Sequence, residues 1–198
     1  MGRLPHAYDK VLDAAETVLI EHGAAAFTIE VVARQARVSK GGLMYHFPSK
    51  EVLLTAVVAR GIAAIDDALA VAAASSTPGA FTRAYVDVTI PPTPTDPEPA
   101  GYGALIAALT AALTLAPHLL NTLHSAYRRW QERLERDGLD AAAATTVRLA
   151  VDGWWLSAVL RLAPVDPGVH RRTRALLIEL TERTHEHTAP STPTRQQP

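Results

Sequence analysis

Residues 40–50 gather groups that could hold a phosphodiester strand. They include the ammonium groups of Lys40 and Lys50, the phenol of Tyr45, the imidazole of His46, and Gly41 and Gly42 side by side. Cations and polar donors at this density suit phosphate oxygens. Two adjacent glycines in a short helix cost roughly 2 kcal/mol against alanine. The physical reason to carry them is close approach of the backbone to something bulky. A sugar-phosphate strand over the helix start fits, because amide groups and the helix dipole favour an anion there.

These groups must be positioned by short helices. Thr28 reads as an N-cap, and Ile29, Val32, Ala33 and Ala36 follow at i, i+3, i+4 and i+7 on one face. Val38 is an apolar plug in the turn. Ser39 caps a second helix over residues 40–47, with Leu43 and Phe47 pointing inward. At about 100° per residue, Gly41, Gly42 and Tyr45 fan out on the opposite side, flanked by Lys40, Met44 and His46. Pro48 ends this helix, since the residue before a proline is pushed out of helical geometry. Ser49 caps a third. Two helices, a short turn and a small residue (Ala33) at the crossing predict a helix-turn-helix. The bland reading makes Gly41-Gly42 a loop and Tyr45, His46 and Phe47 ordinary core, but caps, turn and periodicity all favour the helices.

On these residues the chain resembles the DNA-binding domain of TetR-type transcriptional regulators over positions 8–60. The resemblance rests on a supporting first helix at residues 8–23, then Phe27-Thr28, Val32-Ala33, Ala36 and Val38-Ser39-Lys40-Gly41-Gly42-Leu43. Tyr45-His46-Phe47, Ser49-Lys50-Glu51 and Leu53 complete it. Arg37 stands where the family often has glycine, and Met44 where an aromatic is common. The resemblance implies DNA contacts from Thr28, Lys40, Gly41, Gly42, Met44, Tyr45, His46 and Lys50. It also implies an all-α protein, with an N-terminal three-helix DNA-binding domain (1–50) and a larger C-terminal helical ligand-binding and dimerisation domain (51–188); the Pro/Thr/Gln-rich composition of 189–198 reads as a disordered tail.

Composition sets outer bounds. The chain has 198 residues and 48% hydrophobic content, enough for a substantial core. Without cysteine it has no disulfide or thiolate metal site, which suits a reducing cytoplasm, the location expected. Residues 1–10 carry no apolar signal segment. The longest apolar run, residues 105–116, is too short to span a bilayer, so no membrane partner is expected. Net charge is −1, but residues 28–50 carry Arg34, Arg37, Lys40 and Lys50 against Glu30 alone, a local excess of +3.

Along the chain, Tyr8, Val11, Leu12, Ala15, Val18 and Leu19 repeat at helical spacing, and Gly23 is expected to stop that helix. The helix opened by Ser49 meets no breaker until about residue 75 and would run roughly 40 Å. Residues 78–88 read as a short helix, and the proline-rich stretch 89–101 as an exposed loop. Residues 104–115 read as an apolar helix, and Pro117 opens another that Gly138 closes. Residues 140–162 form the most apolar long segment. Its first stripe is Ala142, Thr146, Leu149, Gly153, Leu156 and Leu160; its second is Val147, Val151, Trp154, Ala158 and Leu162. A helix apolar on nearly every side must be covered on nearly every side. Asp166-Pro167 opens the last helix.

The expected assembly is a homodimer packed as a four-helix bundle. Its interface would use Thr146, Leu149, Gly153, Leu156 and Leu160 with Val169, Thr173, Leu176, Leu177 and Leu180. Two heads related by a twofold axis would read a palindromic operator in double-stranded DNA, with centres about 34 Å apart. Plain monomer core is the competing account of the same stripes. Phe81, Tyr85, Tyr102, Leu105, Leu109, His118, Tyr127, Trp154 and Trp155 could line a pocket for an unidentified small, mostly apolar effector, though each equally suits core. No cofactor is expected. No HExxH, phosphate loop or GxSxG supports an enzyme. His185-Glu186-His187 lies in a polar tail, and His118 and His124 lack a third ligand. The remaining rival is a helical protein-interaction module that does not bind DNA.

Overall fold

The computed structural model describes residues 7–93, 120–159, 162 and 165–182. Every regular element among them is a helix: α1 (Ala7–Ala26), α2 (Ile29–Ala36), α3 (Lys40–His46), α4 (Lys50–Ala72), α5 (Ala80–Thr89), α6 (Leu120–Glu135), α7 (Ala141–Val159) and α8 (Pro167–Glu182). α2 and α3 are short, and the starts of α2, α3 and α4 are locally encoded. Thr28 Oγ1 accepts from the Val31 amide at 3.2 Å, Ser39 Oγ from Gly42 at 3.0 Å and Ser49 Oγ from Val52 at 3.1 Å. Each satisfies an amide the helix itself cannot use. Gly23 kinks α1 through a left-handed φ of 72° rather than stopping it, and the helical turn resumes to Ala26.

Arg37 ends α2 in the left-handed region at φ 56°, ψ 41°. Its amide donates to Arg34 and that of Val38 to Ala33, the double bond of a glycine-type helix end built on a non-glycine residue. A side chain held there costs about 1–2 kcal/mol, part of which a glycine returns through the freer unfolded chain. Arg37→Gly is therefore expected to raise unfolding free energy by about 0.5–1 kcal/mol. Urea titration at fixed pH measures it, and an unchanged or lower midpoint would refute the strain.

α1 packs on α2, α3 and α4, while α5 lies at the centre of the other half, touching α4, α6, α7 and α8. The small head buries Val11, Leu12, Ala15, Val18 and Leu19 of α1 against Phe27, Val32, Leu43 and Phe47. The core then continues without a break through Leu54, Val58, Ile65 and Leu69 of α4 to Tyr85, Trp130, Leu134, Val147 and Val151. α4 is the shared wall. Its 23 residues extend about 35 Å.

Contacts distant in sequence pin α5. Asp137 caps its start, accepting from the amides of Phe81 (3.0 Å) and Thr82 (2.7 Å). Gly79 is required just before it, because a Cβ there would stand 2.2 Å from the Thr181 carbonyl oxygen. The exposed loop expected from residue 89 onward begins differently. Thr89 is still helical, and Ile90 and Pro91 are buried. His170 Nε2 lies 2.8 Å from the Pro91 carbonyl oxygen, and Arg174 donates to that of Ile90 at 3.1 Å. The prolines break the helix as read, but α8 covers the segment they open. The expected helix at 104–115, the start at Pro117, the tail and the His185-Glu186-His187 group lie outside the described residues.

Candidate DNA interface and the acidic centre behind it

Leu43 and Phe47 anchor α3 from beneath, both essentially without solvent contact. Phe47 stacks on Tyr8 of α1 with ring centroids 4.8 Å apart. The opposite face carries Tyr45, 85% exposed, and Met44, 41% exposed. Gly41 and Gly42 are exposed beside them, and nothing lies within 4 Å of where a Cβ on Gly41 would stand. Thr28 and Lys40 are also exposed. His46 is half-buried, set edge-on to Tyr8 at 6.1 Å and to Tyr45 at 5.1 Å. Lys50 is half-buried with its ammonium 5.8 Å from the Phe27 ring centroid. The eight residues expected to meet DNA thus occupy the adjoining ends of α2, α3 and α4, six exposed and two partly seated in the head. Glu30 enters this face too: its carboxylate takes the Lys40 ammonium at 2.6 Å.

Two polar clamps hold α4. Toward the head, Arg60 donates from Nε to Glu16 (2.7 Å) and from Nη1 to Asp13 (2.8 Å) on α1. Burial alone would lower the Arg60 pKa, but the bonds to the two carboxylates outweigh it and raise it. Toward the C-terminal half, Asp66 accepts from the Trp130 indole at 2.6 Å and from Arg129 at 3.0 Å. The Trp130 ring in turn packs against Tyr85 (6.2 Å) and Tyr127 (5.1 Å).

Both tyrosines converge on Asp152 of α7. Tyr85 donates to Oδ1 at 2.9 Å and Tyr127 to the same oxygen at 3.3 Å, while Arg148 holds Oδ2 at 2.8 Å. Arg148 is itself steadied by Gln131, 2.6 Å from its Nε. Burial is the largest influence on the Asp152 carboxyl and raises its pKa, against the downward pull of Tyr85, Arg148 and Tyr127. The result is a satisfied polar centre in an aromatic setting, joined through Trp130 and Asp66 to α4.

The residues expected to line one pocket are dispersed. Tyr85 and Tyr127 meet at Asp152. Phe81 sits instead under the Arg133 guanidinium, 4.3 Å from ring centroid to cation, and borders a cavity of about 380 Å³ with Arg129, Arg136 and Asp137. Trp154 packs on His170 at 5.8 Å, and Trp155 is half-buried. Tyr102, Leu105, Leu109 and His118 lie outside the described residues. A second cavity of about 500 Å³, between α4 and α6, is lined by Ile62, Asp66, Asn121, Ser125 and Arg129, none of them expected. A charged residue inside the apolar segment 140–162 was the available signal for Arg148 and Asp152. Nothing local marks Asp66 or Arg60, whose partners are 64 and 44 residues away.

The two stripes read over residues 140–162 separate only in part, since Trp154 of the second is half-buried and Ala158 and Leu162 are exposed. Val147 and Val151 are buried, whereas Thr146, Leu149, Gly153 and Leu156 are exposed, Leu149 to 57%. On α8, Val169, Thr173 and Leu176 are exposed and Leu180 is half-buried. Leu177 departs from the expected interface set: it turns into its own subunit's core, because α8 packs that side against α5 and α7. Leu160 lies outside the described residues. No helix among the described residues is long and apolar enough to cross a membrane, and no group of three or more His, Asp or Glu among them could hold a metal ion.

A three-helix head with an exposed outer face on α3, tied by one long helix to a larger helical domain, is the architecture of a helix-turn-helix transcription regulator rather than an enzyme. The chain belongs to the TetR family: residues 11–57 match the model for "Bacterial regulatory proteins, tetR family", and residues 79–182 that for "Tetracyclin repressor-like, C-terminal domain". Among curated proteins none matches the chain. Solved structures share its fold. A transcriptional regulator from Rhodococcus sp. Rha1 superposes with a TM-score of 0.71 at 18% identity, covering 89% of this chain and 96% of that one. A regulator from Saccharomonospora viridis, in complex with choline, gives 0.69 at 21% identity, covering 87% and 95%. The multidrug binding protein EbrR, complexed with ethidium, gives 0.64 at 22% identity, covering 90% and 99%.

Proposed function

We propose that this chain is a cytoplasmic repressor that binds a palindromic operator as a homodimer and leaves it when a small, mostly apolar ligand binds. The observation that carries the reading is the outer face of α3. An aromatic ring 85% in solvent beside Met44 and two bare glycines has no folding purpose, while the opposite face anchors the helix firmly. Lys40, Lys50, Thr28 and His46 border that face and would position it on phosphates. The working division is residues 1–50 for reading and 51–188 for dimerisation and sensing, with α4 crossing between them.

Support for the dimer comes from the exposed stripe Thr146, Leu149, Gly153 and Leu156, continued by Val169, Thr173 and Leu176 on α8. Covering it with a second copy removes apolar surface from water and sets two heads about one DNA turn apart. Support for ligand control comes from the Asp152 centre and its line of contact to α4. Relatives bound to choline, ethidium and, for SmeT, triclosan carry ligands on this fold. A ligand that favours one tilt of α4 moves the heads off register, with a coupling of about 1–3 kcal/mol.

Selection of duplexes from a random pool by the purified protein tests the reading. A palindromic winner bound by two protomers supports it; enrichment of nothing at low ionic strength sinks it. With that winner in hand, Lys50→Ala is expected to weaken binding to all duplexes about equally. It should also make the log–log salt dependence shallower by about 0.9 per head. A change in sequence preference without a change in slope would remove Lys50 from the phosphate contacts.

A further inference from the structure

Residues 28–50 carry four cations: Arg34, Arg37, Lys40 and Lys50. Of these four, Lys40 alone is held by a carboxylate among the described residues, at 2.6 Å from Glu30. Both side chains are more than half exposed, and an exposed pair of this kind contributes little to stability. Its placement matters more than its strength. Glu30 stands in the first turn of α2 and Lys40 at the first position of α3, so the pair bridges the two helices of the motif on the side where DNA would lie. The Lys40 bond is also the main cause of the lowered Glu30 pKa, so the carboxylate is charged whenever DNA is met near neutral pH.

We infer that Glu30 limits sequence-independent DNA binding by occupying Lys40, and so acts as a specificity-determining residue of the reading head. The inference rests on the DNA-binding role proposed above. Non-specific affinity comes almost wholly from cations that displace counterions from phosphates. A cation already paired with a carboxylate displaces fewer, so in a loose complex the pair counts as nearly zero charge. When base contacts seat α3 fully, a phosphate oxygen comes within reach of the Lys40 ammonium. It can then be exchanged for the carboxylate, which turns to the solvent it already touches. The seated complex recovers Lys40 and the loose one does not.

The test compares native protein with Glu30→Gln on a mixed-sequence duplex and on the palindrome recovered by selection, each from 50 to 200 mM salt. For the variant, the mixed-sequence slope is expected to steepen by about 0.9 per head. Over that fourfold rise in salt, a dimer would then lose about tenfold more affinity than the native protein loses. Affinity for the palindrome should gain less than affinity for mixed sequence, so the ratio between them narrows. Thermal melts establish that the variant is folded. Unchanged slope and ratio would overturn the inference while leaving DNA binding intact. Weaker binding of the palindrome would overturn it too, by showing that Glu30 merely positions Lys40. If the native protein binds no duplex, this inference and the proposed function fall together.

Discussion

Phe47→Ala is expected to destabilise the protein by about 3–5 kcal/mol and abolish operator binding. Phe47 is 1% exposed and stacks on Tyr8, and its amide closes α3 on Leu43 at 2.9 Å. Removing the ring opens a cavity under the recognition helix, beside Pro48, where the chain has no spare residue with which to collapse. A loss of that size is a large fraction of the 5–15 kcal/mol that typically separates folded from unfolded domains. It falls on the helix whose angle the outer face needs. Phe47→Leu keeps most of the volume and should cost under about 1.5 kcal/mol, with binding retained. Chemical denaturation and operator titration of both variants measure the effect. A Phe47→Ala protein with native midpoint and native affinity would mean that α3 is not held from beneath by this ring.

Asp152→Ala carries the next largest expected cost, about 2–3 kcal/mol. Orphaning a fully buried charge costs about 3–5 kcal/mol. The figure is lowered here because the Arg148 and Asp152 side chains keep 18% and 22% exposure. Arg148 would lose its carboxylate, and two tyrosine hydroxyls would lose a shared acceptor. Asp152→Asn should retain part of the hydrogen bonding and fall between. The pH dependence separates charge from shape. Because burial raises the Asp152 pKa above its ordinary 3.8, the folded state holds this proton more tightly than the unfolded one. That contribution is complete below 3.8 and is lost as pH rises through the higher folded value. The stability of native protein relative to Asp152→Asn should therefore decline as pH rises from about 4, then level off. A difference that grows with pH across that window would mean that the Arg148 pairing, not burial, governs this carboxyl. The same variant should disturb Trp130 fluorescence, since Tyr85 and Tyr127 pack on that indole and also hold Asp152.

The head was legible because its determinants are local. Thr28, Ser39 and Ser49 each satisfy an amide three residues onward, so a reader of the chain sees cap and capped group together. Leu43 and Phe47 sit one turn apart, which alone decides that Tyr45 faces away. Arg37 shows the same logic in reverse: its departure from the expected glycine marks the one non-glycine residue at positive φ among the described residues. Tyr8 was visible as part of the first helix, but not as the ring that closes over Phe47.

The C-terminal half was legible only in outline. Alternating stripes on residues 140–162 show that two faces need cover, yet the stripes are nearly equal in apolar character. Only the packing of α5 and α6 decides that Val147 and Val151 go inward while Leu149 and Leu156 stay out. The sequence by itself determined α2 and α3, the caps of α2, α3 and α4, and the outward face of α3, because hydrogen bonds and side-chain periodicity within a few residues settle those. Tertiary structure alone decided that Asp152 gathers Tyr85, Tyr127 and Arg148, that Asp66 grips Trp130, and that Ile90 and Pro91 are buried beneath His170 and Arg174. Apart from the Arg148–Asp152 pair, those partners lie 25 to 84 residues apart. At such separations residue type says that a polar group needs a partner, and only the packed chain says which one.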